Sequence, residues 1–287
     1  MEPLQFKTTI LGAQVELLPQ IWQDLVGKSD HAFPSLWHQD KIAEGSIRET
    51  EIKHNCSIIS LSGPLIAAIN DPSIPKVAVF DLDSTLIQME VIDELAKAKP
   101  EIAAQVAKIT EESMAGRLDF KQALARRVSL LEGLKIEPLW QKIKDEVRFT
   151  TGAFDLVHKF LNPQNGWTCA IVSGGFLPIA EWVRQKLGMQ YAFANALEVD
   201  ESEKLTGKLL TGHDIVDGEA KRAHLLQLSN QVGAGVKMAV GDGANDLLML
   251  GVADIGVAFN AKPIVQERAQ YRLNNPDLSL LIRALSK

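Results

Sequence analysis

Three short apolar runs in this chain each end in a cluster of polar residues, and each sits in a context that turns helical a few residues later. The first, Val77-Ala-Val-Phe80, runs into Asp81-Leu-Asp-Ser-Thr85. The second, Trp167-Thr-Cys-Ala-Ile-Val172, delivers Ser173-Gly-Gly-Phe176. The third, Val236-Lys-Met-Ala-Val240, opens into Gly241-Asp-Gly-Ala-Asn-Asp246. Apolar strands alternating with helical segments indicate an α/β fold with a parallel sheet covered on both faces. Core strands are expected near 77–81, 168–172, 237–240 and 255–258. In open sheets of this kind ligands bind beyond the carboxyl ends of the strands, where the polar clusters lie.

The gap between the first two strands is too long for one crossover. Residues 91–149 carry helical periodicity, with Ile102, Val106 and Ile109 followed by Leu124, Val128 and Leu131. The spacing predicts a helical insertion over the strand ends, in effect a cap. Leu197–Leu210, interrupted by Asp200-Glu-Ser-Glu-Lys204, reads as a β-hairpin near the same rim. Before the first strand, Ala13–Val26 looks helical and Cys56–Leu61 looks like a strand. Asn70-Asp-Pro-Ser-Ile-Pro-Lys76, with two prolines, reads as a linker. The division expected is therefore residues 1–75 as an N-terminal extension and residues 76–287 as the main unit, with the cap at about 91–150.

Asp81 and Asp83 stand at i and i+2 of an extended segment, so both project to one side. Two carboxylates this close need a cation or a hydrogen-bonding network to ionise together. Mg²⁺ fits, because it takes oxygen ligands and leaves room for a phosphate. Cys56 and Cys169 lie far apart, and none of the six histidines falls in a His-Glu-x-x-His pattern, so no soft-metal site competes. Taken alone, Asp81-to-Thr85 is also an ordinary Asp-rich turn. Ser173-Gly-Gly can free backbone amides for a phosphate at a helix start, or it can simply turn the chain. Lys221 by itself reads as a solvated lysine. Asp242, Asn245 and Asp246, three polar groups in five residues, are harder to explain as a turn.

The 287 residues are 46% apolar, enough for a substantial core, and the net charge of −6 argues against a nucleic-acid or membrane-surface partner. No apolar run approaches the roughly 18 residues of a membrane span. The start, Met1-Glu-Pro-Leu-Gln5, has no signal-like segment, and two unpatterned cysteines suit a reducing compartment; a cytoplasmic location is the expectation.

The order Asp-Leu-Asp-Ser-Thr, Ser-Gly-Gly-Phe, Lys221, Gly-Asp-Gly-Ala-Asn-Asp resembles the four motifs of the haloacid-dehalogenase-like phosphohydrolases. Four further details resemble the branch of that family acting on O-phosphoserine: Glu90, Met114-Ala-Gly-Arg-Leu-Asp-Phe120, Ala125-Arg-Arg-Val-Ser-Leu-Leu131 and Tyr191-Ala-Phe-Ala-Asn195. The resemblance covers residues 76 to about 284. It implies a Rossmann-like core with an inserted helical-bundle cap, plus a small N-terminal α+β extension. It also implies Mg²⁺-dependent hydrolysis of O-phospho-L-serine through an aspartyl-phosphate, the last step of serine biosynthesis.

By the same resemblance, Asp81 is the nucleophile and Asp83 the general acid and base. Whether the charge of Asp81 or the metal governs the Asp83 proton stays open in the sequence. Mg²⁺ is held by the Asp81 carboxylate, the Asp83 carbonyl and the Asp242 carboxylate, with Asp246 behind it through water. Ser173, Gly174 and Lys221 cradle the phosphoryl group with Asn245 nearby. Glu90 and Arg127 read the ammonium and carboxylate of the substrate, although Arg126 is an alternative to Arg127. Met114 and Phe120 wall the seryl carbons. Phosphotransfer from phosphoserine to homoserine, hydrolysis of another small phosphomonoester and a non-catalytic phosphometabolite sensor are the competing functions. For residues 1–75 a regulatory unit, a solubilising module and a homodimer-forming module are all compatible with the sequence.

Overall fold

The structure is a computed structural model that describes residues 5–12, 17–26, 35–38, 42–114 and 117–287. Its strands are β1 (Phe6–Leu11), β2 (Ser35–His38), β3 (Ser57–Ser62), β4 (Lys76–Phe80), β5 (Trp167–Phe176), β6 (Tyr191–Asn195), β7 (Leu197–Val199), β8 (Leu205–Leu209), β9 (Val236–Gly241), β10 (Ile255–Phe259) and β11 (Tyr271–Leu273). Six of them form a parallel sheet in the order β11-β10-β9-β4-β5-β6.

Burial on both faces is written into β4, where successive side chains point to opposite sides. Ala78 and Phe80 join one core with Ile171, Met238 and Val240. Val77 and Val79 join the other with Ala170, Val172 and Ala239. Helix Leu177–Leu187 covers the first face through Ile179, Ala180, Val183 and Leu187. Helices Gly218–Val232 and Leu247–Val252 cover the second through Leu225, Leu228, Met249 and Leu250. The chain winds from β4 outward to β5 and β6, then returns to lay β9 on the other flank of β4. That reversal opens a crevice at the carboxyl end of β4, the place where ligands bind in doubly wound sheets.

Helices Val91–Ala96, Pro100–Met114, Phe120–Leu130 and Glu137–Glu146 fill the gap between β4 and β5 as the helical insertion. In the third of these, the Asp119 side chain caps the N-terminus by accepting from the Gln122 amide at 2.9 Å. The same helix buries Ala123, Leu124, Arg127 and Val128. The β7–β8 hairpin is antiparallel, and its Leu205 exchanges backbone hydrogen bonds with Gly133 and Leu134 of the cap. Beside β1 and β2 of the N-terminal sheet, two strands of the six-stranded sheet escaped the sequence reading. β6 is a partly exposed edge strand without clean alternation, and β11 is three residues long.

The N-terminal residues form their own antiparallel sheet, β2-β1-β3, with Phe6 opposite His38 on one side and Ser62 on the other. Helices Leu18–Val26 and Glu44–His54 pack near it around Ile10, Ile21, Trp22 and Ile58. Residues 13–16 of the stretch expected to be helical lie outside the described residues. This sheet is tied to the larger one. Arg272 on β11 donates to Glu51 at 2.6 Å, Lys7 donates to the Arg283 carbonyl at 2.8 Å, and Tyr271 donates to the Ser60 carbonyl at 2.9 Å. Among the described residues no helix is long and apolar enough to cross a membrane.

Candidate active site

β4 ends where its last hydrogen bonds still hold the backbone, the Asp81 amide donating to Val240 of β9 at 2.9 Å. Asp81 therefore leaves the sheet in a fixed direction. Its Oδ1 accepts from the Leu82 amide at 2.7 Å and pairs with the Lys221 ammonium at 2.7 Å. Lys221 comes from helix Gly218–Val232, whose start is capped by Asp217 accepting from the Ala220 amide. The same ammonium donates to Asp246 Oδ1 at 2.7 Å, and Asp246 Oδ2 accepts from the Gly243 amide at 3.0 Å. Lys221 is fully enclosed; burial works against its charge, yet Asp246 and Asp81 prevail and raise its pKa.

Asp81, Asp242 and Asp246 are all buried, with one oxygen of each within 4.8 Å of the others. Asp81 and Asp246 share the Lys221 ammonium, and Asp242 beside them feels Lys262, so three ionised carboxylates here would exceed the nearby positive charge. Asp81 responds with a pKa pushed up to about 7, by burial first and then by the charge of Asp246, against the pull of Lys221. Asp242 is likewise raised by burial and by Asp81, Glu90 and Asp246. A hard divalent cation would cancel that excess, and an all-oxygen donor set is the kind such an ion takes.

Asp83 lies one turn of the loop further on. Burial, then Glu90 and Asp81, raise its pKa well above the carboxylate range. Its Oδ1 is buried and has no hydrogen-bond partner among the described residues. Asn245 shows the same condition at both its Oδ1 and its Nδ2. Buried polar atoms are rarely left unpaired, and orphans on a pocket wall point to a polar ligand.

The opposite wall is the carboxyl end of β5, where the Gly175 amide donates to Ser173 Oγ at 2.9 Å. Both glycines stand at a close approach. A Cβ at Gly174 would stand 2.4 Å from Phe120 Cζ, and one at Gly175 would stand 2.9 Å from Asp83 Oδ2. Asn195, at the end of β6, ties the end of β5 to the segment before helix Gly218–Val232: its Nδ2 donates to the Gly174 carbonyl at 2.8 Å and its Oδ1 accepts from the Val216 amide at 2.9 Å. The sequence reading quoted Asn195 without giving it a task. A polar side chain closing a run of Tyr, Ala and Phe was the available signal.

The pocket between these walls is closed by the cap. Glu90 and Arg127 line it together with Asp81, Asp83, Ser173, Gly174 and Asn245, while Lys221 and Asp242 lie beneath as buried groups. Glu90 Oε1 accepts from the Ser84 hydroxyl at 2.7 Å, and burial is the main cause that raises its pKa. Arg127 is buried, whereas Arg126 on the same helix is exposed. Arg127 donates from Nη1 to Thr110 at 3.1 Å, and Thr110 donates onward to Asp93 at 2.8 Å. Thr110 and Asp93 are positioning groups the sequence did not reveal, since they meet Arg127 from two other helices. Ile92, Leu124, Phe120 and Phe176 supply the apolar surface. The Met114 side chain lies outside the described residues.

The haloacid dehalogenase-like hydrolase family model matches residues 78–251. A probable phosphoserine phosphatase of Schizosaccharomyces pombe is 41% identical over 253 residues, covering 85% of this chain and 83% of its own. The phosphoserine phosphatase of Saccharomyces cerevisiae is 44% identical over 73% of this chain and 67% of its own. A solved structure described as a phospho-aspartyl intermediate analogue of phosphoserine phosphatase superposes with a TM-score of 0.68 at 38% identity, over 74% of this chain and 99% of that one.

Proposed function

This chain belongs to the haloacid dehalogenase-like hydrolase family, and from that membership we infer that it hydrolyses O-phospho-L-serine to L-serine and inorganic phosphate. The observation that carries the reading is the composition of one pocket. Asp81, Ser173 and Asn245 face it at the sheet end, and Glu90 and Arg127 face it from the cap side. A phosphoamino acid offers a phosphate, an ammonium and a carboxylate. An acid and a guanidinium beyond a phosphate cradle complement the last two, with Arg suited to bidentate carboxylate binding.

In the proposed reaction an Asp81 carboxylate oxygen attacks phosphorus. Because Oδ1 is already engaged by Lys221 and the Leu82 amide, the carboxylate is held in one orientation. As the bond from phosphorus to the seryl oxygen breaks, Asp83 gives that oxygen a proton, a task suited to a carboxyl whose surroundings favour the protonated form. The aspartyl-phosphate divides one difficult hydrolysis into two steps. Asp83, now ionised, takes a proton from the water that attacks phosphorus, and the bond to Asp81 breaks. Ser173 Oγ, the Gly174 amide, Asn245 and the Lys221 ammonium face the charge that develops on the phosphoryl oxygens. The Asp81 and Asp242 carboxylates and the Asp83 carbonyl, with Asp246 beside them, would hold a Mg²⁺ ion, and that ion would supply positive charge to the phosphoryl group.

The decisive measurement is phosphate release from O-phospho-L-serine, with and without an added alcohol such as homoserine. Free phosphate at a rate indifferent to the alcohol is expected. Transfer to the alcohol in place of free phosphate would make the chain a phosphotransferase, and undiminished release by Asp81→Asn would remove the covalent step.

A further inference from the structure

Ser84 occupies a position that the chemistry above does not use. It sits between the two catalytic acids and the Thr85 hydroxyl, and its backbone is left-handed, with φ 56°. Non-glycine residues adopt this conformation at a cost and hold it where the surroundings impose it, often at functional sites. Ser84 is one of four non-glycine residues in that region among those described, the others being Asn55, Glu203 and Asn260. Of the four it alone adjoins the pocket.

The kink has a geometric result. Asp83 turns toward the pocket, while Thr85 points to Asp242, donating to its Oδ1 at 3.4 Å. Between them Ser84 is bound twice to the segment that enters the cap. Its amide donates to the Met89 carbonyl at 3.2 Å and its hydroxyl to Glu90 Oε1 at 2.7 Å. Glu90 precedes helix Val91–Ala96 with extended backbone, and its own side chain makes no capping bond. No other hydrogen bond to the Glu90 carboxylate occurs among the described residues. A carboxylate held at one oxygen and free at the other has a defined direction.

We propose that Ser84 is a specificity-determining positioning residue: its hydroxyl fixes one oxygen of Glu90 so that the other is presented to a substrate ammonium. This rests on the reading of Glu90 as the ammonium partner. A phosphomonoester lacking an ammonium gains nothing from the arrangement, so Ser84 discriminates between substrates while leaving the phosphoryl chemistry to other groups. The left-handed backbone is what lets one short hydroxyl reach Glu90 while Asp83 and Thr85 face elsewhere.

The test compares Ser84→Ala, Ser84→Gly, Glu90→Gln and the double variant Ser84→Ala with Glu90→Gln, each assayed on O-phospho-L-serine and on p-nitrophenyl phosphate. Alanine removes the hydroxyl and keeps the unfavourable backbone, whereas glycine removes the hydroxyl and relieves it. Both single Ser84 variants should lose about tenfold in kcat/KM on phosphoserine, the scale of a hydrogen bond to a charged group. Their loss on the aryl phosphate should be several-fold smaller. The double variant should be little worse than Glu90→Gln alone, because the two residues act as a unit. Equal losses on both substrates in the Ser84 variants, or a normal rate in glycine with a defect in alanine, would overturn the proposal and leave the Glu90 reading standing. Glu90→Gln losing equally on both substrates would remove the ammonium reading and this proposal with it. Thermal unfolding of the glycine variant guards against misfolding, since relief of the backbone should leave its Tm at or above that of alanine.

Discussion

Asp81 and Asp83 are separated by one leucine, yet their surroundings assign them different states. Asp81 Oδ1 is fixed by the Lys221 ammonium and a backbone amide, a setting that orients a carboxylate for attack. Asp83 is buried beside Glu90 and Asp81, its Oδ1 has no partner among the described residues, and its pKa rises well above the usual range. The proposed mechanism makes Asp83 responsible for protons in both half-reactions, and the two can be separated. An aryl phosphate has a leaving group that departs without a proton, so Asp83→Asn should still form the aspartyl-phosphate from it while failing to hydrolyse it. Intact-mass measurement should then show one phosphoryl group trapped on the protein. On phosphoserine kcat should fall by about 10²–10⁴, the usual contribution of a general acid or base. A parental rate on phosphoserine would mean that another group carries the proton.

At the scale of elements, the site is an encounter between the cap helix Phe120–Leu130 and the carboxyl end of β5. Contact is tightest at Phe120 over Gly174, where an added Cβ would meet the ring at 2.4 Å. Gly174→Ala should force the helix outward at a cost of about 1–3 kcal/mol, typical of overpacking. A loss of that size in transition-state stabilisation would appear as a fall in kcat/KM of about five- to 150-fold, partly restored when Phe120→Leu is added to make room. An unchanged kcat/KM in Gly174→Ala would show that the cap does not close this way during turnover. The ion pair of Lys121 on this helix with Asp217, the N-cap of helix Gly218–Val232, spans 3.0 Å and is largely exposed on the lysine side. Such pairs contribute little, so the packing of Phe120, more than this charge contact, is expected to set the position of the helix.

At the scale of the whole molecule, the buried acids form a cluster where protons and a divalent cation would compete. Without a cation, Asp81 has a pKa of about 7 against an ordinary 3.8, and Asp242 and Asp83 are raised as well. A carboxyl raised by folding contributes stability that is fully present below its unfolded value and is lost as pH rises through its folded value. The metal-free protein should therefore lose stability between about pH 4 and pH 7 as Asp81 ionises. A divalent cation bound by these acids would replace their protons, so the gain in Tm on adding Mg²⁺ should be larger at pH 8 than at pH 6. A gain that is equal at both, or larger at pH 6, would place the cation elsewhere. Much of this arrangement was legible from the chain alone. Strand, polar loop and helix are neighbours in sequence, so periodicity and local chemistry determined the parallel sheet, the helical insertion and the clusters around Asp81, Ser173 and Asp242. Tertiary packing decided what converges on the pocket. The register of helix Phe120–Leu130 against the core buries Arg127 and exposes Arg126, a choice two adjacent arginines cannot reveal. Packing likewise brought Asn195 to Gly174 and Thr110 to Arg127, and a left-handed turn brought Ser84 to Glu90. Local sequence encodes which backbone forms and what chemistry each loop carries. Which distant side chains meet depends on strand order and helix phase, and those are fixed only when the elements bury their faces against one another.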